Sequence, residues 1–136
     1  MQVFLTRRIG FHATHFLQLP ELSEKENRAR FGATVDPHAH DYTCDVTVRG
    51  SMVRGMVVDL GRLDALLAEH IRAPLHGKVL NEVIPACASR EALPTCELLA
   101  AWCWNNLSRT LPMGVELERV RVAEDATLHA ECTGTI

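Results

Sequence analysis

The segment PHAHDYTCDVTVRG, residues 37–50, constrains the fold more than any other stretch of the chain. Tyr42, Cys44, Val46 and Val48 alternate with Asp41, Thr43, Asp45, Thr47 and Arg49. Apolar against polar with a period of two is the pattern of a half-buried β-strand. His38 and His40 continue the apolar row, so both imidazoles project from its buried face. Two imidazoles there are costly unless something satisfies them. A divalent metal does, because neutral imidazole nitrogen is a good zinc ligand and i, i+2 spacing on a strand brings two together. Two hydrogen-bonded or hydrated histidines at a strand end are the plainer alternative.

A third histidine shifts the balance. VFLTRRIGFHATH, residues 3–15, also reads as a strand, with Phe11, Ala13 and His15 on one face. Consecutive strands usually neighbour one another, so His15 can meet His38 and His40 across an antiparallel pair. Three histidines with one open position match the ligand count of a catalytic zinc rather than a closed structural one. His12, on the opposite face, is the internal control and belongs outside the site.

Composition narrows the class of protein. At 136 residues the chain reads as one domain, residues 1–136, with a single core. Hydrophobic content of 47% and charged content of 23% suit a globular chain, and a net charge of -3 gives no basic footprint for nucleic acid. No apolar run approaches the roughly 20 residues of a membrane span. MQVFLTRR reads as a strand carrying arginines rather than a signal peptide. Five cysteines, odd in number and without CxxC spacing, suggest buried thiols in a cytoplasmic protein.

Further along, Gly50 to Gly55 is a turn zone. Asp59 is an N-cap for a helix through residues 61–73, on which Leu60, Leu63, Leu66, Leu67 and Ile71 form a stripe, with Pro74 just past its end. Residues 74–94 show few periodic signals; an irregular stretch of that length inside a compact domain tends to be functional. Thr95 then caps a second helix, with Glu97 in its first turn. VELERVRVAE is an alternating strand and ATLHAECT closes the fold. The order ββααββ predicts an α+β fold: a four-stranded antiparallel sheet with two helices on one face. An apolar second face would have to be buried by another copy, which predicts a homo-oligomer.

Five segments together resemble the 6-pyruvoyl-tetrahydropterin synthase and 6-carboxytetrahydropterin synthase family. FHATHFL is similar to the family's FxAxHxL segment, and RFGATVDPHAHDY to its FGxC followed by HGHxY. GMVVDLGRL resembles its GMVxDF step, and PTCELLAAWCW its PTxENLAxxxW helix start. RVRVAEDAT resembles the strand carrying the glutamate that anchors the pterin. The resemblance implies the tunnelling fold, whose subunits trimerise into a β-barrel and pair as hexamers, with active sites between subunits. It assigns zinc to His15, His38 and His40, and a small-molecule pterin to Glu124, Thr95 and Glu97. A carboxylate at Glu124 can accept two N–H donors from the guanidine-like edge of a pterin ring.

The chain also departs from the family pattern. Thr34 stands where the family carries the cysteine that acts as proton-abstracting base. The family's LDHxxLN becomes Leu75-His76-Gly77-Lys78-Val79-Leu80-Asn81, so His76 takes the aspartate position and Gly77 the histidine position. A threonine hydroxyl offers no ionisation near neutral pH, whereas an imidazole does. Three readings follow: an altered lyase using His76, displaced by one residue, as acid/base; an enzyme acting on a related pterin without the thiolate; or a pterin-binding protein of the same fold without turnover. Cys96 or Cys44 as a replacement thiol is the weaker option, since buried cysteines are usually inert.

Overall fold

The computed structural model describes residues 1–134. In chain order the elements are β1 (Gln2–His15), α1 (Glu24–Phe31), a 3-10 turn (Gly32–Val35) and β2 (His38–Ser51). Next come α2 (Leu60–Leu67), a π-helical turn (Ala68–Arg72), α3 (Ala73–Leu75), β3 (Lys78–Val79), α4 (Leu80–Val83) and α5 (Pro85–Ala88). The chain then forms α6 (Cys96–Leu107), β4 (Glu116–Asp125) and β5 (Leu128–Cys132).

β1 and β2 pair antiparallel along their whole length, from Gln2 opposite Ser51 to His15 opposite His38. The alternation written in the sequence becomes the two faces of the sheet. Phe11, Ala13, Tyr42, Cys44, Val46 and Val48 are buried, joined by Val120 and Val122 of β4. Against this face pack Leu63, Leu67 and Ile71 from the helical run that starts at α2, and Leu99, Cys103 and Leu107 from α6. Both helix starts are capped as expected. Asp59 accepts from the Arg62 N–H at 3.0 Å, and Thr95 Oγ1 from the Leu98 N–H at 3.3 Å.

Three features depart from the sequence-based expectation. The sheet has five strands in the order β3-β1-β2-β4-β5, and β3 runs parallel to β1 at Ala13–Thr14, so the sheet is mixed. A strand of two residues and helices of four, as in β3, α4 and α5, are shorter than any periodicity can register. The α2 run does not end before Pro74: the π-helical turn widens the helix and restarts it with Pro74 in the first turn of α3, where a missing N–H is tolerated. α1 shows no apolar periodicity, because charged and amide residues fill most of it. Its signal is the capping box Ser23–Glu26, each side chain bonded to the other's main-chain N–H at 3.1 Å.

The other face of the sheet is charged, not apolar. Arg8 pairs with Asp45 at 2.6 Å, His12 with Asp41 at 2.8 Å, Thr6 with Thr47 at 2.7 Å, and Arg49 with Glu116 and Glu118. An apolar second sheet face in need of cover is therefore absent among the described residues. Exposed apolar side chains gather elsewhere, at Phe4, Met52, Val53, Met56 and Leu60, by the start of β1 and the β2–α2 connection. In the single chain the sheet is open, with β5 at one edge and β1 and β3 at the other. All five cysteines are free, and no described helix is long and apolar enough to cross a membrane.

Candidate metal centre

The β1–β2 register builds the site. His15 sits directly opposite His38, and Ala13 opposite His40. The methyl side chain of Ala13 leaves room for the larger rings on either side. Ring centroids are 4.5 Å apart for His15–His38 and 5.1 Å for the other two pairs. One ring nitrogen from each histidine lies within 4.8 Å of the others.

Main-chain carbonyls orient two of the rings. His15 Nδ1 lies 2.8 Å from the Pro94 carbonyl oxygen, and His38 Nδ1 lies 2.8 Å from that of Asp36. A carbonyl accepts only, so Nδ1 carries the hydrogen and the neutral ring presents a bare Nε2 lone pair. His15 Nε2 and His40 Nε2 are buried without hydrogen-bond partners. Burial, with smaller contributions from His38 and His40 and against the pull of the Pro94 carbonyl, lowers the His15 pKa to about 4. Convergent, orphaned imidazole nitrogens with carbonyl-bonded Nδ1–H groups fit a divalent metal and its supporting shell.

Glu124 belongs to the same cluster. Two residues beyond buried Val122 on β4, its side chain turns inward. Its Oε2 lies 2.6 Å from His40 Nε2 and 3.7 Å from His15 Nε2. The buried hydroxyl of Tyr42 has no partner either; burial foremost, then Glu124, raises its pKa. Cys96 is pushed up to about 11, chiefly by burial and then by Glu124. The neighbouring Cys44 thiol, and then burial, hold the Cys103 pKa well above its usual value. At neutral pH Cys96 and Cys103 therefore remain thiols, and Cys44 is engaged in the core.

The remaining predicted residues take other places. His12 points to the opposite face and pairs with Asp41, as expected of the control. The Thr34 hydroxyl donates to the Phe31 carbonyl at 2.6 Å, and the Thr34 carbonyl accepts from the Leu17 N–H at 2.9 Å. His76 stands at the β1 edge. Its Nδ1 accepts the His12 N–H at 3.0 Å and its Nε2 lies 3.3 Å from Arg72 Nη2. His12 and His15 are three positions apart on β1, about 10 Å of chain. Thr95 caps α6, and Glu97 is exposed.

Two contributors escaped the sequence reading. The Pro94 carbonyl is one; main-chain groups leave no residue-type signal. The other is Asn81, which accepts from Phe16 N–H at 3.0 Å and donates to Phe16 O at 2.9 Å, pinning the residue after His15. Asn81 lies within the quoted LHGKVLN segment, which was its one available signal. A cleft of about 360 Å³ lined by Phe16, Gln18, Asn81, Cys87 and Leu93 adjoins the site but contains none of the three imidazoles.

The described sheet is mixed and backed by helices, with three histidines and a glutamate on its covered face. The sequence model described as 6-pyruvoyl tetrahydropterin synthase matches residues 4–135, and the chain belongs to that family. It is 39% identical over 127 residues to the 6-pyruvoyl tetrahydrobiopterin synthase of Homo sapiens, covering 90% of this chain and 86% of the human one. It is 24% identical to the dihydroneopterin monophosphate aldolase of Pyrococcus furiosus, covering 91% of each chain. The solved Caenorhabditis elegans 6-pyruvoyl tetrahydropterin synthase superposes with a TM-score of 0.86 at 24% identity, covering 99% of this chain and 97% of that one.

Proposed function

We propose that the protein is a zinc-dependent enzyme of this family, acting on dihydroneopterin triphosphate or a closely related pterin with an altered proton relay. The observation that carries the reading is the convergence of His15, His38 and His40, with the orphaned Nε2 atoms of His15 and His40 beside Glu124. When bound, zinc supplies Lewis acidity toward the hydroxyls of the substrate side chain. Glu124 accepts two N–H donors from the pterin ring, and Thr95 and Glu97 lie on the substrate side at the start of α6. Thr34, with its hydroxyl bonded to Phe31, offers no base. His76 is the proposed acid/base. Because its Nδ1 accepts a main-chain N–H, the neutral ring carries its hydrogen on Nε2, the nitrogen that can donate it to a substrate.

His76 lies at the sheet edge, away from the imidazoles of its own chain, which fits a role at the metal centre of a neighbouring copy. We therefore propose a homo-oligomer built on trimers, a trimer or hexamer, with sites shared between subunits. Free cysteines accord with a cytoplasmic setting.

A second reading, pterin binding without turnover, is favoured by the main-chain bonds that occupy both Thr34 and His76. One experiment separates the two. The purified protein, with and without zinc, is incubated with dihydroneopterin triphosphate and the pterin products are analysed. Zinc-dependent turnover that yields little 6-pyruvoyl-tetrahydropterin supports the altered enzyme. Tight binding of reduced pterins with no turnover supports the binding protein, and robust synthase activity without His76 rejects the altered relay.

A further inference from the structure

We propose that, before any pterin binds, Glu124 is a fourth protein ligand of the metal centre: a carboxylate cap that the pterin ring draws away. The inference rests on the reading of His15, His38 and His40 as metal ligands. Glu124 Oε2 is 2.6 Å from His40 Nε2, yet His40 Nε2 makes no hydrogen bond. A carboxylate oxygen and a bare imidazole nitrogen both present lone pairs, so without an aligned proton they repel at that distance. A cation held between them turns the repulsion into attraction.

The spacing agrees with a shared ion. Two ligand atoms each 2.0–2.1 Å from a tetrahedral zinc stand about 3.3–3.4 Å apart. Glu124 Oε2 brackets that value, at 2.6 Å from one imidazole nitrogen and 3.7 Å from another. A small movement of one flexible side chain evens the two distances.

Charge balance points the same way. The Glu124 side chain is 14% exposed, and among the described residues no lysine or arginine pairs with it. A nearly buried carboxylate without a counter-charge is costly. The described residues offer it the unpartnered hydroxyl of Tyr42 and the imidazoles, and no fixed cation. An ion in the histidine cluster supplies the missing charge.

The arrangement gives Glu124 two successive partners. Paired N–H donors on a pterin ring compete with the metal for the same carboxylate, so seating the ring frees the fourth position when a substrate is there to use it. Pterins thereby open the site, and other hydroxylated molecules do not.

Zinc affinity of the full chain, measured by chelator competition without pterin, tests the proposal in Glu124→Gln. Loss of a direct ligand predicts at least about tenfold weaker binding, with shifted visible bands in the cobalt-substituted form. A second arm needs no variant. A reduced pterin carrying only a methyl group at its side-chain position has no hydroxyl to offer the metal, yet it should shift the bands of wild-type cobalt protein. Wild-type zinc affinity and an unchanged cobalt spectrum in Glu124→Gln overturn the cap, as does a wild-type spectrum unmoved while that pterin binds. If the wild-type protein takes no zinc, the three-histidine reading falls first and the cap with it.

Discussion

His15 is buried, gives its Nδ1–H to Pro94 and leaves its Nε2 without a partner, so its surroundings admit a neutral ring or a metal. His38→Ala should lower the zinc content of purified protein, whereas His12→Ala, on the far face, should leave it unchanged; elemental analysis reads both. The metal-free protein carries a pH signature. Burial holds His15 at about 4 when folded, against 6.5 for the free side chain. Between those values the unfolded chain binds a proton that the folded chain does not, so stability present above pH 6.5 is lost as pH falls toward 4. The loss is at most about 3 kcal/mol. Urea unfolding of metal-free protein at pH 7 and pH 4.5 checks it, and equal stabilities would refute the assignment. At saturating zinc, Glu124→Gln should weaken binding of a reduced pterin at least about tenfold, since charge-assisted bonds are worth about 1.5–3 kcal/mol each.

Elements announced themselves in proportion to their length and regularity. The 14-residue strands β1 and β2 read clearly from alternation, and α6 read from Pro94-Thr95 followed by an apolar stretch. β3 is two residues long and exists because Gly77, at a φ of 73°, turns the chain so that Lys78 and Val79 lie along β1. Side-chain size and polarity at two positions cannot encode that. The caps are where local sequence acts most directly. Asp59→Ala should cost about 1 kcal/mol of stability by removing the acceptor for the Arg62 N–H, with zinc content intact. Denaturant unfolding beside metal analysis measures both, and a loss of metal would mean that α2 positions the site.

At the scale of the whole molecule, the proposed oligomer draws on main-chain edges rather than on an apolar sheet face. In β1, His12 turns both its N–H and C=O away from β2, toward His76 and Gly77. By the period of two, Phe4, Thr6 and Arg8 do the same, where no described strand pairs with them. β5 presents the opposite edge. Phe4→Pro removes an N–H that makes no bond within the sheet, so the subunit should fold while a trimer-based oligomer dissociates. Light scattering checks this. A wild-type monomer at micromolar concentration would reject the oligomer and the shared active site together.

Sequence by itself determined the two long strands, their buried faces, the capped helices and the three histidines, because period and cap chemistry are local properties of a chain. The family resemblance also singled out Glu124, as a pterin anchor, without fixing where it lies relative to the imidazoles. Tertiary structure alone decided that Glu124 lies against His40, that the Pro94 carbonyl orients the His15 ring, and that His76 stands at an edge. Those outcomes depend on which strands become neighbours and in what register. That choice is made by packing between residues far apart in the chain, and no window of sequence contains it.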